Sequence, residues 1–498
     1  MTPEPVNRRT LLKAGGALAA LAAAGCTESP SGHASPSIAP IAPGGPDVAA
    51  APDWAGFGRG LDGRFYRPGS SGYAGAHQLF NPRFDSVQPA GVVKAATIAD
   101  IRESVAFARK NRLRCAPKAG GHSYVGASSV ANGLVVDIGN LRSMSYANGV
   151  LTVGAGARLY DVHAFLDRYG RSLPTGTCPT VGVAGLALGG GMGVHTRAYG
   201  LTGDRILSMQ VVTADGVFRA CSPTQNADLF WALRGGGGGN LGIVTSFRLS
   251  TIPGGRLGIF VLKWTQAQAA AVIRGWQRFA REAPTTSWAN LHLDARADGT
   301  IAVRAVGVST TGSATAAAAQ LESFVGARAS SRTFSQRSHL EAVRFLGGGT
   351  TSPRTGFTAG SDVLRGPMDA ATINGLVNTV KARARAGKTA SAILDPLGGQ
   401  AVKVPTGGSA WPWRSSLGVI QWYVGLAAHP TSTSYNSARA WITSGHRAVA
   451  KASAGGYVNY VEPGRAVQSY YSGSWNRLRT IKRKYDPANV FGGPYGIS

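Results

Sequence analysis

Acidic residues are scarce in this chain: 24 Asp and Glu stand against 51 Lys and Arg, a formal charge of +27 over 498 residues. Cysteine is scarcer still, at 4 residues, and no disulfide framework is supported; Cys115 and Cys221 fall in apolar, strand-like surroundings. No apolar run is long enough for a membrane span: the stretch 14–25 is about a dozen residues, against the ~20 that a span needs. The fingerprint G-x-G-x-x-G between a strand and a helix, with an acid further on, is also missing, which argues against a nicotinamide Rossmann domain. The basic residues are scattered, with Lys482-Arg483-Lys484 the one cluster and no nucleic-acid motif beside it. A generally basic surface and no nucleic-acid partner are expected. No metal site and no internal repeat are expected either.

What is present describes an exported, folded protein. Hydrophobic residues make up 44% and charged residues 15% of the chain, the balance of a globular protein, and its length predicts more than one core. Asn7-Arg8-Arg9-Thr10-Leu11-Leu12-Lys13 before the small apolar run is a twin-arginine pattern, the address of proteins exported already folded. Ala23-Ala24-Gly25-Cys26 resembles a lipoprotein cleavage site, although Ala23 stands where Leu is preferred. The expectation is an extracytoplasmic protein, anchored to the membrane surface by a lipid on Cys26 or cleaved and released. Residues 27–55, rich in Pro, Ser, Ala and Gly, form a flexible tether.

Strands and helices alternate from about residue 91. Thr97 and Asp100 predict a capping box for a helix whose buried face is Ile98, Ile101, Val105 and Ala108. A second helix carries Leu159, Val162, Leu166 and Tyr169 on one face and stops at Gly170. Strands are expected near 114–118, 134–138, 151–153, 206–213, 217–221 and 243–249, with a turn at Asp215-Gly216. A short helix is expected over 228–233. Residues 255–454 differ: amphipathic helices near 267–281, 315–324, 373–384 and 435–450 alternate with strands near 300–306 and 419–424. That pattern predicts an α+β domain with helices on one face of a sheet.

Glycine, at 69 residues, is clustered where chemistry is expected. Pro117-Lys118-Ala119-Gly120-Gly121-His122-Ser123-Tyr124 follows a strand, and its successive N–H groups suit an anion nest. A second element runs from Thr175-Gly176-Thr177-Cys178-Pro179-Thr180-Val181-Gly182-Val183-Ala184-Gly185 to Gly189-Gly190-Gly191-Met192-Gly193. A third runs from Arg234 to Thr245. Together these segments resemble the FAD-binding domain of the vanillyl-alcohol-oxidase and p-cresol-methylhydroxylase superfamily, and within it the berberine-bridge-enzyme-like FAD-linked oxidases. The resemblance covers about 81–250 and resumes at 456–491.

It implies an α+β fold: a two-subdomain FAD-binding domain of the p-cresol-methylhydroxylase type over 56–254, a substrate domain with an antiparallel sheet over 255–454, and a return of 455–498 to the first domain. It also implies FAD held by two covalent bonds, through His122 and Cys178. Because the two residues lie in separate segments, each bond is expected to form independently. Ala119, Gly120, Gly121 and Ser123 would cradle the pyrophosphate, and Gly182, Gly185, Gly193, Gly242 and Val244 would line the flavin and adenine. Tyr457-Val458-Asn459-Tyr460 matches a segment whose tyrosine acts as base and whose asparagine helps hold the cofactor. Gln421 would support Tyr457, Tyr124 would face the substrate, and Val181 matches the position governing oxygen access. Plant members often have Lys where Val419 stands, which bears on how far the Tyr457 pKa is lowered.

The implied reaction removes the O–H proton of an alcohol, a carbohydrate hydroxyl or a secondary metabolite, while the carbon-bound hydrogen leaves as hydride to the flavin. Molecular oxygen would be the final acceptor. A dehydrogenase of the same fold using a carrier acceptor, or a non-catalytic envelope binding protein, are the other readings. Trp411, Trp413, Trp422 and Tyr423 could stack on a sugar ring or pack a core. His195 is expected as a polar neighbour of the flavin.

Overall fold

The computed structural model describes residues 51–405 and 407–498. The twin-arginine pattern, Cys26 and nearly all of the tether lie outside the described residues.

The helix Ile98–Lys110 begins as its sequence dictates: Asp100 N donates to Thr97 Oγ1, and the Asp100 carboxylate accepts from Thr97 N. Ile101, Val105 and Ala108 are fully buried. Among the described residues the helix belongs to a four-stranded sheet, ordered Arg64–Tyr66, Gly91–Lys94, Leu134–Asp137 and Cys115–Lys118, in which the last three strands run parallel. An antiparallel five-stranded sheet follows, ordered Met144–Ala147, Val150–Gly154, Ile243–Ser250, Ile206–Val212 and Phe218–Cys221. The second expected helix is shorter than its pattern: it spans Leu159–Asp167, so Tyr169 lies beyond its end. Gly170, at φ 61°, turns the chain outward, and Tyr169 is 47% exposed instead of buried. Cys115 and Cys221 are free and buried on their strands, and burial pushes both thiols up to about 12.

The second half builds an eight-stranded antiparallel sheet, ordered Ser331–Arg337, Leu257–Trp264, Ile301–Ser309, Ser287–Ala295, Ala390–Pro396, Gly418–Leu426, Gly356–Leu364 and Ser453–Gly455. The helices Ala269–Glu282, Ala314–Val325, Ala370–Arg385 and Ser432–Val449 bury Trp276, Leu321, Leu376 and Trp441 against one face of it. The other face is left for a cleft. The architecture is α+β, as expected.

The last segment joins the first core: Tyr470, Leu478, Ile481, Tyr485 and Phe491 pack with Val93, Leu134 and Leu241. Lys482, at the foot of this junction, is buried; its ammonium donates to Asn240 O at 2.8 Å and pairs with Asp486 at 2.6 Å. Lys484 pairs with Asp228 at 2.7 Å. The one basic cluster in the sequence is thus largely occupied by intramolecular partners.

Candidate active site

Between the glycine-rich loops and the free face of the eight-stranded sheet lies a cleft of ≈ 2380 Å³. One wall is backbone. Ala119, Gly120, Gly121, Ser123, Gly182, Gly185, Gly193, Gly242 and Val244 all line it. Gly121 has φ 68°, which turns successive N–H groups to one side. A Cβ on Gly120 or on Gly182 would strike the other's backbone, so the two loops are pressed together; at Gly185 nothing lies within 4 Å, and the backbone is bare to the cleft. Among the described residues, the cleft's carboxylates, Asp294 and Asp395, both belong to the opposite face. A wall of open backbone free of acids fits a pyrophosphate-bearing cofactor.

His122 and Cys178 stand on this wall. The His122 ring stacks on Phe80, with centroids 3.9 Å apart and planes 20° apart. Its Nε2 is 2.9 Å from Thr180 Oγ1. Burial, and then the charge of Arg158, lower His122 to about 4, so the imidazole is neutral at neutral pH. With Nε2 bonded to Thr180, Nδ1 is the ring nitrogen that Thr180 does not engage. Cys178 Sγ is 3.8 Å from the same Thr180 hydroxyl. The two residues come from separate segments, yet one side chain touches both.

The opposite side is built from side chains. Tyr457 is buried, and its Oη accepts from Gly191 N at 3.1 Å, Met192 N at 3.3 Å and Asn459 Nδ2 at 2.9 Å. Burial pushes Tyr457 up to about 12, although these donors pull the other way; its pKa is raised, where the resemblance implied lowering. Asn459 also donates to Leu186 O at 3.0 Å, tying the Tyr-x-Asn segment to the glycine wall. Gln421 bonds Tyr124, not Tyr457: its Nε2 donates to Tyr124 Oη at 2.6 Å. Strand Gly418–Leu426 aims Gln421 across the cleft, where Tyr124 descends from the loop and stacks on Tyr460 at 5.1 Å. Tyr460 and Val181 also line the cleft.

Asp395 is the functional candidate that the sequence reading missed. It lies opposite Val419 in the register of Ala390–Pro396 with Gly418–Leu426, so a carboxyl faces the cleft beside the position where plant members often have Lys. Burial raises it to about 7, against a hydrogen bond from Asn290, a value suited to proton transfer near neutral pH. Its signal was an acid in the otherwise apolar run Ala392-Ile393-Leu394-Asp395. Behind Tyr457 stands a charged network. His446 bonds Asp362 Oδ2 at 2.6 Å and Glu462 Oε2 at 2.9 Å, and Tyr457 N donates to Ser361 Oγ at 3.0 Å. Burial opposes charge on His446, but the two carboxylates outweigh it and raise the imidazole to about 9.

One further expectation is corrected, and the aromatic residues divide between their two alternatives. His195 is not on the cleft. It caps the short helix Thr196–Tyr199 and is buried beside His339, with ring centroids 5.1 Å apart; burial holds it well below the usual imidazole range. Trp411, Trp413 and Trp422 are buried core residues, and the Trp422 indole donates to Asp362 at 2.8 Å. Tyr423 faces the cleft.

Residues 89–222 match the family model of the FAD binding domain, and residues 456–498 match that described as berberine and berberine like. The carbohydrate oxidase of Microdochium nivale is 30% identical over 465 residues, covering 86% of this chain and 92% of that protein. Its structure with a substrate analogue superposes with a TM-score of 0.80 at 27% identity, covering 89% and 98% of the two chains. The uncharacterized FAD-linked oxidoreductase YgaK of Bacillus subtilis is 30% identical over 402 residues, 79% of this chain and 87% of that protein. Physcomitrella patens BBE-like 1 superposes with a TM-score of 0.81 at 26% identity, covering 89% and 98%.

Proposed function

The chain belongs to the berberine-bridge-enzyme-like family of FAD-linked oxidoreductases, and from that premise we propose that it oxidises a carbohydrate hydroxyl, with FAD bound covalently through His122 and Cys178 and molecular oxygen as acceptor. The observation that carries this reading is the pairing of walls. A glycine-lined, acid-free wall bears a neutral His122 and Cys178, and it faces Tyr124, Gln421, Asp395 and Tyr460 across one cleft. Polar side chains spaced along the floor, among them Gln421, Asn290, His292 and Arg304, suit the hydroxyl groups of a sugar, and a relative with this cleft's fold is a carbohydrate oxidase.

Bound FAD supplies the two-electron acceptor. The protein's own residues do the rest. Gln421 and Tyr124 orient the hydroxyl, Tyr457 passes its own proton to the Asp395 carboxylate, and the phenolate so formed takes the proton of the hydroxyl. The donors from Gly191, Met192 and Asn459 stabilise the Tyr457 phenolate as it forms. Thr180 holds the His122 ring at Nε2, which would leave Nδ1 for the bond to the flavin. The twin-arginine pattern and Cys26 support export and a lipid anchor. Normal export after Arg8 and Arg9 are changed to Lys, or a wild-type protein free of the membrane fraction, would count against those parts.

The test is anaerobic mixing with reducing sugars, phenolics and alcohols, followed by peroxide measurement in air. Bleaching of the flavin by sugars with equal peroxide release supports the proposal. Dye reduction that outpaces oxygen consumption would make it a dehydrogenase, and a colourless protein would make it a binding protein.

A further inference from the structure

The floor of the cleft is charged unevenly. Residues opposite one another in an antiparallel sheet share a face. The registers align Gln421 with Ile393, Ile393 with His292, His292 with Arg304, and Arg304 with Lys263. All five line the cleft. This row starts where Gln421 meets Tyr124 and crosses four strand spacings, about 19 Å, to Lys263.

The two ends of the row differ. Near Gln421 the floor offers the Asp395 carboxyl, tyrosines and amides, and no cation. The far end holds Lys263 and Arg304, with Asp294 as its one carboxylate. Arg304 lies along the floor, donating to Asp294 Oδ2 at 3.0 Å and bonded to His292 Nδ1 at 3.0 Å. Asp294 is thereby occupied. Among the described residues no carboxylate forms an ion pair with Lys263, and it is exposed. A neutral sugar offers this cation only the hydrogen bonds of its hydroxyl oxygens, whereas an anion forms a stronger, charge-assisted bond with it.

We propose that Lys263, with Arg304 beside it, forms an anion subsite, so that the preferred substrate is an oligosaccharide carrying an anionic substituent several sugar units from the oxidised end. The inference rests on the carbohydrate reading above and adds its substrate class. The length of the row separates the negative group from Asp395, which would repel it once ionised.

The experiment uses the flavin-loaded full chain and three oligosaccharides matched in length: neutral, carrying a terminal uronic acid, and carrying a terminal sulfate ester. The expected kcat/KM is about tenfold higher for an anionic member than for the neutral one. Lys263→Ala and Lys263→Glu should remove that preference through KM, with kcat for the acidic sugar retained, and added salt should lower kcat/KM selectively for the anionic sugars. The carboxylate and sulfate arms identify which group the subsite takes.

Equal kcat/KM for all three sugars, without salt dependence, would overturn the subsite while leaving sugar oxidation standing. If no sugar reduces the flavin, calorimetric titration with the same three decides. Binding of an anionic sugar that Lys263→Glu weakens keeps the subsite and rejects the oxidation reading; binding without charge preference, or none, rejects the subsite. The salt dependence of the wild type settles the matter should a variant fail to fold.

Discussion

The two sides of the cleft are made of different material. The loop wall presents backbone: Gly120 and Gly182 let its two loops close on each other, and Gly185 is bare to the cleft. The sheet floor presents side chains, and one row of it draws on five strands from Leu257–Trp264 to Gly418–Leu426. A backbone wall can hold only what every member of a fold must hold, because its shape depends on glycine and little else. A side-chain floor can change its ligand with each substitution and leave the sheet intact. Cofactor capture and substrate choice are thus assigned to parts that vary independently.

The division of labour is sharpest where the proton is handled. Tyr457→Phe keeps the fold and the flavin but should slow substrate reduction of the flavin by roughly 10²- to 10⁴-fold, read in single turnovers. An unchanged rate would move the base to Tyr124 or Tyr460. Asp395→Asn, on the floor alone, should lower kcat by about 10²-fold. Wild-type activity should rise as pH passes through about 7 and the carboxyl ionises, and this limb should vanish in the variant. A limb that persists would assign it to another group.

The wall is tested by mass. His122→Ala and Cys178→Ala should each keep flavin through the remaining bond, and the double variant should release it all on acid denaturation. Thr180→Val joins this series, because its hydroxyl meets both residues. It should slow covalent incorporation by about tenfold with FAD still bound, the loss expected for an orienting partner. Wild-type incorporation in Thr180→Val would mean that its hydroxyl plays no part in either attachment.

The smallest effect concerns the network behind Tyr457. His446 is raised to about 9 by Asp362 and Glu462. Its contribution to stability should be complete below ~6.5, the unfolded value, and lost as pH rises through about 9. The melting temperature of His446→Gln should therefore lie below wild type at pH 6 and approach it above pH 9. A constant gap would mean that the imidazole's charge is irrelevant.

The same contrast explains what could be read beforehand. The wall is written in contiguous motifs, so His122, Cys178 and the glycines were legible residue by residue, as were the capped helix from Ile98 and the strands around it. The floor is dispersed over strands at every second position, and only the register of pairing brings Lys263, Arg304 and His292 into line. Asp395 escaped for that reason. Gln421 was legible as a site residue, but its bond to Tyr124 depends on how a loop and a sheet meet. His195 was misplaced because proximity in sequence to glycines says nothing about the turn that buries it.

The junction of Lys482 with Asn240 and Asp486 has a consequence for biosynthesis. The Gly237–Asn240 stretch of the wall is braced by residues near the end of the chain, including Phe491, whose amide donates to Asp486 at 2.9 Å. A polypeptide still emerging from the ribosome has every glycine motif available and lacks this brace. Loading of the cofactor must therefore follow translation of the C-terminal segment, and a chain cut short before Lys482 should be made without colour.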